Sequence, residues 1–110
     1  MSPTGQTADG TWEVGVRRTL ALEPGEAWDR ALAAIADDPA SGEPTSITAG
    51  TVARMPYERD GWPSRSTVQL RVIHATTGTT VAIHHEHLPD AAAREQMHDH
   101  WRALLDGLVS

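Results

Sequence analysis

The strongest constraint on the fold lies between Thr67 and Leu88, where two alternating runs meet across a tight turn. Val68, Leu70 and Val72 alternate with Thr67, Gln69 and Arg71; after Thr76-Thr77-Gly78-Thr79, the residues Val81, Ile83, His85 and His87 take up the same period. Successive strand side chains point to opposite faces, so the pattern predicts a β-hairpin with one buried and one wet face. An isolated hairpin is barely stable in water and needs a second layer over its apolar face. The chain supplies a candidate at once. Asp90 precedes Ala91-Ala92-Ala93 and is a residue type that accepts hydrogen bonds from the first free amides of a helix. From there Ala93, Met97, Trp101, Leu104, Leu105 and Leu108 recur at helical spacing, with Arg94, Glu95, Asp99, Arg102 and Asp106 mostly away from that stripe. An amphipathic helix is expected nearly to the C-terminus.

The opening half is less regular. Thr11 to Leu22 alternates, with Trp12, Val14, Val16, Leu20 and Leu22 on one face, and reads as a half-buried strand. Arg18 interrupts that face, marking either a sheet edge or a side chain projecting into a cavity. Pro24 suits a first helical turn, and Trp28, Ala31, Leu32 and Ile35 then predict a short helix ending near Asp38, before Pro39. Asp37 to Ser66 is rich in Pro, Gly, Ser and Thr, and only Ile47 to Met55 reads there as a strand. Trp62, between Gly61 and Pro63, is a large ring in a turn and is expected to lie against something, as a lid over a pocket mouth or as an anchor for a partner. Residues 1–10 are polar and turn-rich, read as a flexible tail without the pattern of an export signal, leaving 11–110 as one domain.

Composition narrows the function classes. With 110 residues, 39% of them hydrophobic, the chain can bury one core but not two. It has no cysteine, which removes disulfides, thiolate metal sites and thiol nucleophiles. Nine basic against fifteen acidic residues give a net charge of −6, and the arginines are scattered along the chain, against a nucleic-acid or anionic-membrane surface. No run approaches the roughly 18 apolar residues of a membrane span, so a cytoplasmic location is expected.

His84, His85 and His87 crowd one strand around Glu86, yet alternation splits them between faces, and His98 and His100 diverge on the helix. No His-Glu-x-x-His, Gly-x-Ser-x-Gly, Walker or dinucleotide-binding pattern occurs. No metal, cofactor or catalytic residue is therefore assigned, and the pattern points away from an enzyme. His85 continues the apolar face of Val81 and Ile83 and should look toward Met97 and Trp101. It is either a core histidine bonded to a neighbour or a polar group that orients a ligand. Arg18, if it reaches inward, would suit an anionic group; otherwise it snorkels to water.

The opening Trp12-Glu13-Val14-Gly15-Val16-Arg17-Arg18-Thr19-Leu20 with Ala27-Trp28, and the closing Thr79-Thr80-Val81-Ala82-Ile83-His84-His85-Glu86-His87-Leu88, resemble START-like (SRPBCC) proteins. The run from Asp90 to Trp101, with Arg94-Glu95, Met97, His100 and Trp101, is similar to the branch of activators of heat-shock-protein-90 ATPase, abundant in actinobacteria. The resemblance implies an α+β helix-grip fold, a curved antiparallel sheet wrapped around a long C-terminal helix, here with fewer strands because the middle looks shortened. It implies a small hydrophobic ligand between sheet and helix, with Arg18, Trp62, Val81, Ile83, His85, Met97 and Trp101 as the binding set. The branch name suggests an alternative, a chaperone or other protein partner, and a small cyclase-like enzyme is a third, less supported reading. A shortened sheet would also leave an edge that a second copy of the chain could cover, giving a homodimer.

Overall fold

A computed structural model describes residues 10–108; of the tail expected at residues 1–10, all but Gly10 lies outside the described residues. The order of elements is β1 (Trp12–Leu20), α1 (Pro24–Ala36), β2 (Ser46–Thr48), β3 (Val52–Tyr57), β4 (Ser66–Ala75), β5 (Gly78–Leu88) and α2 (Ala91–Gly107). The strands form one antiparallel sheet in the order β1-β5-β4-β3-β2. Both helices bury their apolar stripes on one face of it, and the architecture is the expected α+β helix grip.

Alternation decides what each strand contributes. Val14, Val16 and Leu20 of β1, Ala53, Met55 and Tyr57 of β3, Val68, Leu70 and Val72 of β4, and Val81 and Ile83 of β5 turn inward. Helix α1 covers β4 and β5 with Ala27, Trp28, Ala31 and Ile35, while α2 lies over β1 and β5 through Ala93, Met97, Trp101 and Leu105. Pro24 occupies the first turn of α1, where its missing amide costs nothing. Asp90 caps α2 as expected, its carboxylate accepting from the Ala93 amide at 2.7 Å. Side chains then pin α2 along its length. Arg94 Nε donates to the Glu13 carbonyl at 2.9 Å near the start, and Arg18 pairs with Asp106 near the end. Arg30 of α1 donates to the Leu108 carbonyl at 3.0 Å, joining the two helices where α2 stops.

Two local expectations need correction. The segment Ile47 to Met55 is not one strand but parts of two, β2 and β3, paired with each other. Gly50 adopts φ +78°, open to glycine and costly for other residues, and the Thr51 amide bonds to the Thr48 carbonyl at 3.0 Å, so the chain reverses within the segment. His87 does not continue the buried face of β5. Between the Val14–His85 and Trp12–Leu88 pairs β5 spends one residue more than β1, a bulge at which His87 takes φ +63° and becomes exposed while Leu88 turns inward. Among the described residues, no helix is long and apolar enough to cross a membrane.

The β4–β5 turn depends on Gly78, whose φ is +149° and whose missing side chain lets the Leu20 carbonyl approach. Gly78→Ala would place a methyl against that backbone oxygen in a conformation that alanine resists. We expect the substitution to cost at least about 2 kcal/mol in urea denaturation, through backbone strain and overpacking. An unchanged midpoint would contradict this account of the turn.

Candidate functional site

The polar groups with the most unusual surroundings meet where the open end of β3, the end of α1 and the middle of α2 come together. At the centre is His85, fully buried on β5 between its cross-strand neighbours Val14 and Val68. One helical turn beyond Met97, Trp101 brings its indole N–H to His85 Nδ1 at 3.0 Å. An indole nitrogen can only donate, so Nδ1 must accept, and the neutral ring carries its proton on Nε2. That proton is directed to Ser66 Oγ at 2.7 Å, and the Ser66 hydroxyl donates to the Tyr57 carbonyl at 2.6 Å. Four residues from α2, β5, β4 and β3 thus form one directed chain in which every member is satisfied. Burial, helped by the nearby cationic Arg59, drives the His85 pKa down to about 3. The ring stays neutral at physiological pH and is a packed hydrogen-bonding hub, not a proton shuttle.

A second, outer network joins the first at Tyr57. Asp38, just past α1, accepts from the Ala40 amide at 3.0 Å, the Tyr57 hydroxyl at 2.8 Å and His100 Nε2 at 2.8 Å. Burial alone would raise its pKa; the three hydrogen bonds outweigh that and hold it below the ordinary carboxylate value. Burial, with the Asp38 charge beside it, pushes the Tyr57 phenol up to about 12 despite the opposing Arg59. The phenol therefore donates to Asp38 while accepting from Arg59 Nε at 3.0 Å. The guanidinium also lies near the Tyr57 ring, 5.7 Å from its centroid, and reaches toward His100 Nδ1 at 3.4 Å.

Trp62 closes this end. Its ring centroid lies 5.9 Å from both Tyr57 and His85, and Trp101 packs edge-on to both, at 5.4 Å from Tyr57 and 5.8 Å from His85. Gly61, with φ +88°, turns the chain so that Trp62 folds back onto the cluster while staying partly exposed. Clefts of about 550 and 520 Å³ flank it and share Pro39, Ala40, Glu58, Arg59, Asp60 and Trp62.

The structure gathers five of the residues singled out in the sequence: Val81, Ile83, His85, Met97 and Trp101 all lie between sheet and α2, each at most 1% exposed. Trp62 sits over them at the surface. Arg18 is elsewhere, paired with Asp106 toward the C-terminal end of α2. Ser66, Asp38, Tyr57, Arg59 and His100 were not anticipated. Tyr57 continues the inward parity of Ala53 and Met55, but the expected strand stopped at Met55, before Pro56, and His100 flanks the helix stripe without belonging to it. Among the described residues, no three His, Asp or Glu side chains form a group able to hold a metal ion.

The neutral His85 sets a pH dependence. The folded ring takes up a proton only near pH 3, whereas an unfolded histidine does so near 6.5, so between these values the unfolded chain binds more protons. Stability from this group is fully present above pH 6.5 and declines as pH falls toward 3, by up to about 1.4 kcal/mol per pH unit. The lowered Asp38 pKa adds loss in the same direction at the acid end. Imidazole NMR should show His85 as a single Nε2–H tautomer that does not titrate between pH 5 and 8; a midpoint near 6.5 would contradict the buried network.

No family model matches the chain, and no curated protein matches it. Solved structures do. CalU16 from Micromonospora echinospora aligns over 92% of this chain and 76% of its own, with 15% identity and a TM-score of 0.73. An AHSA1-like protein from Rhizobium etli aligns over 94% of this chain and 83% of its own, with 19% identity and a TM-score of 0.63. The protein named Ara h 8.0201 aligns over 90% of this chain and 95% of its own, with 8% identity and a TM-score of 0.51. At such identities the likeness concerns the fold, and the fold is the START-like helix grip.

Proposed function

We propose that the protein binds a small, flat hydrophobic molecule at the end of the grip closed by Trp62. The observation that carries this reading is the position of Trp62: a partly exposed indole, set in a loop, tilted against the buried Tyr57 and His85 rings and flanked by two clefts. Tertiary packing fills the space beneath it, so a ligand gains access by displacing the indole and taking its place over the same rings. A planar molecule offers the same contacts, offset or edge-on to aromatic neighbours. The loop between β3 and β4, which carries Trp62, fits this reading because it places the indole at this end of the grip. The neighbouring polar groups, Arg59, Asp38 and His100, supply a donor-rich and acceptor-rich rim to orient a hydroxyl or carbonyl. The Asp38 carboxylate is engaged by three donors and the Tyr57 phenol is held protonated, so neither is free to attack a substrate, which favours binding over turnover.

Amide NMR with 2-naphthol as the probe tests the reading. Saturable shifts are expected at Trp62, His85 and the Trp101 indole N–H, with affinity several-fold higher in Trp62→Ala, where no indole competes for the site. Absence of saturable shifts at these positions in both proteins would overturn it.

A second reading, an interaction module for a chaperone or other protein, draws on the fold shared with the AHSA1-like Rhizobium etli protein and on the net charge of −6. It predicts a stoichiometric chaperone partner when the tagged chain is recovered from cell extract. Recovery of the chain alone would remove it.

A further inference from the structure

The face of the sheet turned away from the helices carries a recess of about 440 Å³, distinct from the Trp62 end. Gly15 and Ala82 form its floor, and Arg17, Gln69, Arg71, Ile73, His84 and Glu86 surround them. Strand register determines its chemistry. Arg17 of β1 and Arg71 of β4 are both directly opposite Ala82 of β5, so the two arginines stand on the same row with only a methyl group between them. Two interstrand spacings separate their Cα atoms, about 10 Å. Arg54 of β3, opposite Gln69, is the diagonal neighbour of Arg71 on the same face.

These three arginines are far apart in sequence, yet the sheet brings them together. Among the described residues none of them has a carboxylate within 4 Å, whereas Arg18, Arg30 and Arg94 each do. Glu13 is engaged by His84 at 3.2 Å. The one acidic residue lining the recess, Glu86, lies four residues along β5 from Ala82, about 13 Å away. A chain of net charge −6 thus concentrates unpaired positive charge over a floor of two small residues.

We propose that this recess is a binding site for a small oxyanion, a phosphate or a carboxylate, held between Arg17 and Arg71. Guanidinium groups offer parallel N–H pairs matched to either anion, and two of them on facing strands can hold one anion from both sides. Ala82, with only a methyl group, leaves room for it to approach the sheet beside the His84 ring that lies against Gly15, and Ile73, 43% exposed two residues along β4 from Arg71 on the same face, provides apolar surface for a short body attached to the anion. Three arginines are too few for a nucleic-acid backbone against this net charge, which favours a small anion. The site shares no residue with the Trp62 end and does not depend on that reading.

The test is an amide NMR titration of the full chain with sodium phosphate and, separately, sodium acetate, at constant ionic strength maintained with sodium chloride. Saturable shifts are expected at Gly15, Arg17, Arg71 and Ala82, and the tighter of the two anions names the source of the ligand. Arg17→Ala and Arg71→Ala should each weaken binding about tenfold or more, with spectral dispersion retained because both side chains are exposed. Arg30→Ala, which removes the same charge from α1, should leave the affinity unchanged. Shifts that grow linearly with either anion, or equal losses in all three variants, would overturn the proposal by showing diffuse charge screening in place of a site.

Discussion

The hydrogen-bonded chain from the Trp101 indole through His85 and Ser66 to the Tyr57 carbonyl is what the rest of the structure is arranged around. Apolar burial drives the helices onto the sheet but is non-directional and tolerates sliding. The buried imidazole does not. Its two nitrogens need partners at fixed positions, and an unpaired buried polar group costs about 1–3 kcal/mol. Only one placement of α2 brings the Trp101 N–H to Nδ1 while the β5–β4 register brings the Ser66 hydroxyl to Nε2. The chain therefore selects, among many greasy packings of similar energy, the one in which Met97, Trp101 and Leu105 lie over Val81, Ile83 and Val14.

Polarity is layered outward from that centre. The inner histidine is neutral, the phenol next to it is held protonated, and the first full charges, Asp38 and Arg59, appear only at the rim, where water is within reach. Trp62 sits at the boundary between these layers. The opposite face of the sheet has no such gradation: its groups are wet, its arginines lack carboxylate partners within the described chain, and its chemistry comes from register alone. The same alternation that fills the core with valines and leucines thus deals out a second, independent set of side chains to solvent.

How much of this was legible in the amino-acid order depends on the range of the interactions involved. Val68 to Ile83 and Ala93 to Leu108 show their faces locally, so the hairpin, the terminal helix, the Asp90 cap and the meeting of His85 with Met97 and Trp101 can all be read from spacing. The β2–β3 reversal was missed because Gly50 lies in a segment whose apolar residues continue past it without a break. The exposure of His87 was missed because a bulge belongs to the pair of strands: nothing within β5 announces that β1 is one residue short opposite it. Asp38, Tyr57, Arg59 and His100 come from a helix end, a strand, a loop and a helix flank, with 62 residues between Asp38 and His100. Each looks like an ordinary polar residue until the fold assembles them. Arg18 shows a different limit: it occupies an inward position on β1, but a long side chain near the end of α2 finds Asp106 before it finds an interior.

The sheet order also has a kinetic consequence. Strand β1 is made before the other described elements, yet its strand partner is β5, so that Thr19 lies beside Thr80, 61 residues later. Until β5 has been synthesised and paired, β1 has no ladder to join, and the apolar side of Trp12 to Leu20 is exposed on the nascent chain. Closing such a large loop is entropically expensive and comes before most of its contacts can repay it. Folding of this small domain should thus be late and all-or-none, with β5 acting as the template on which β1 is laid.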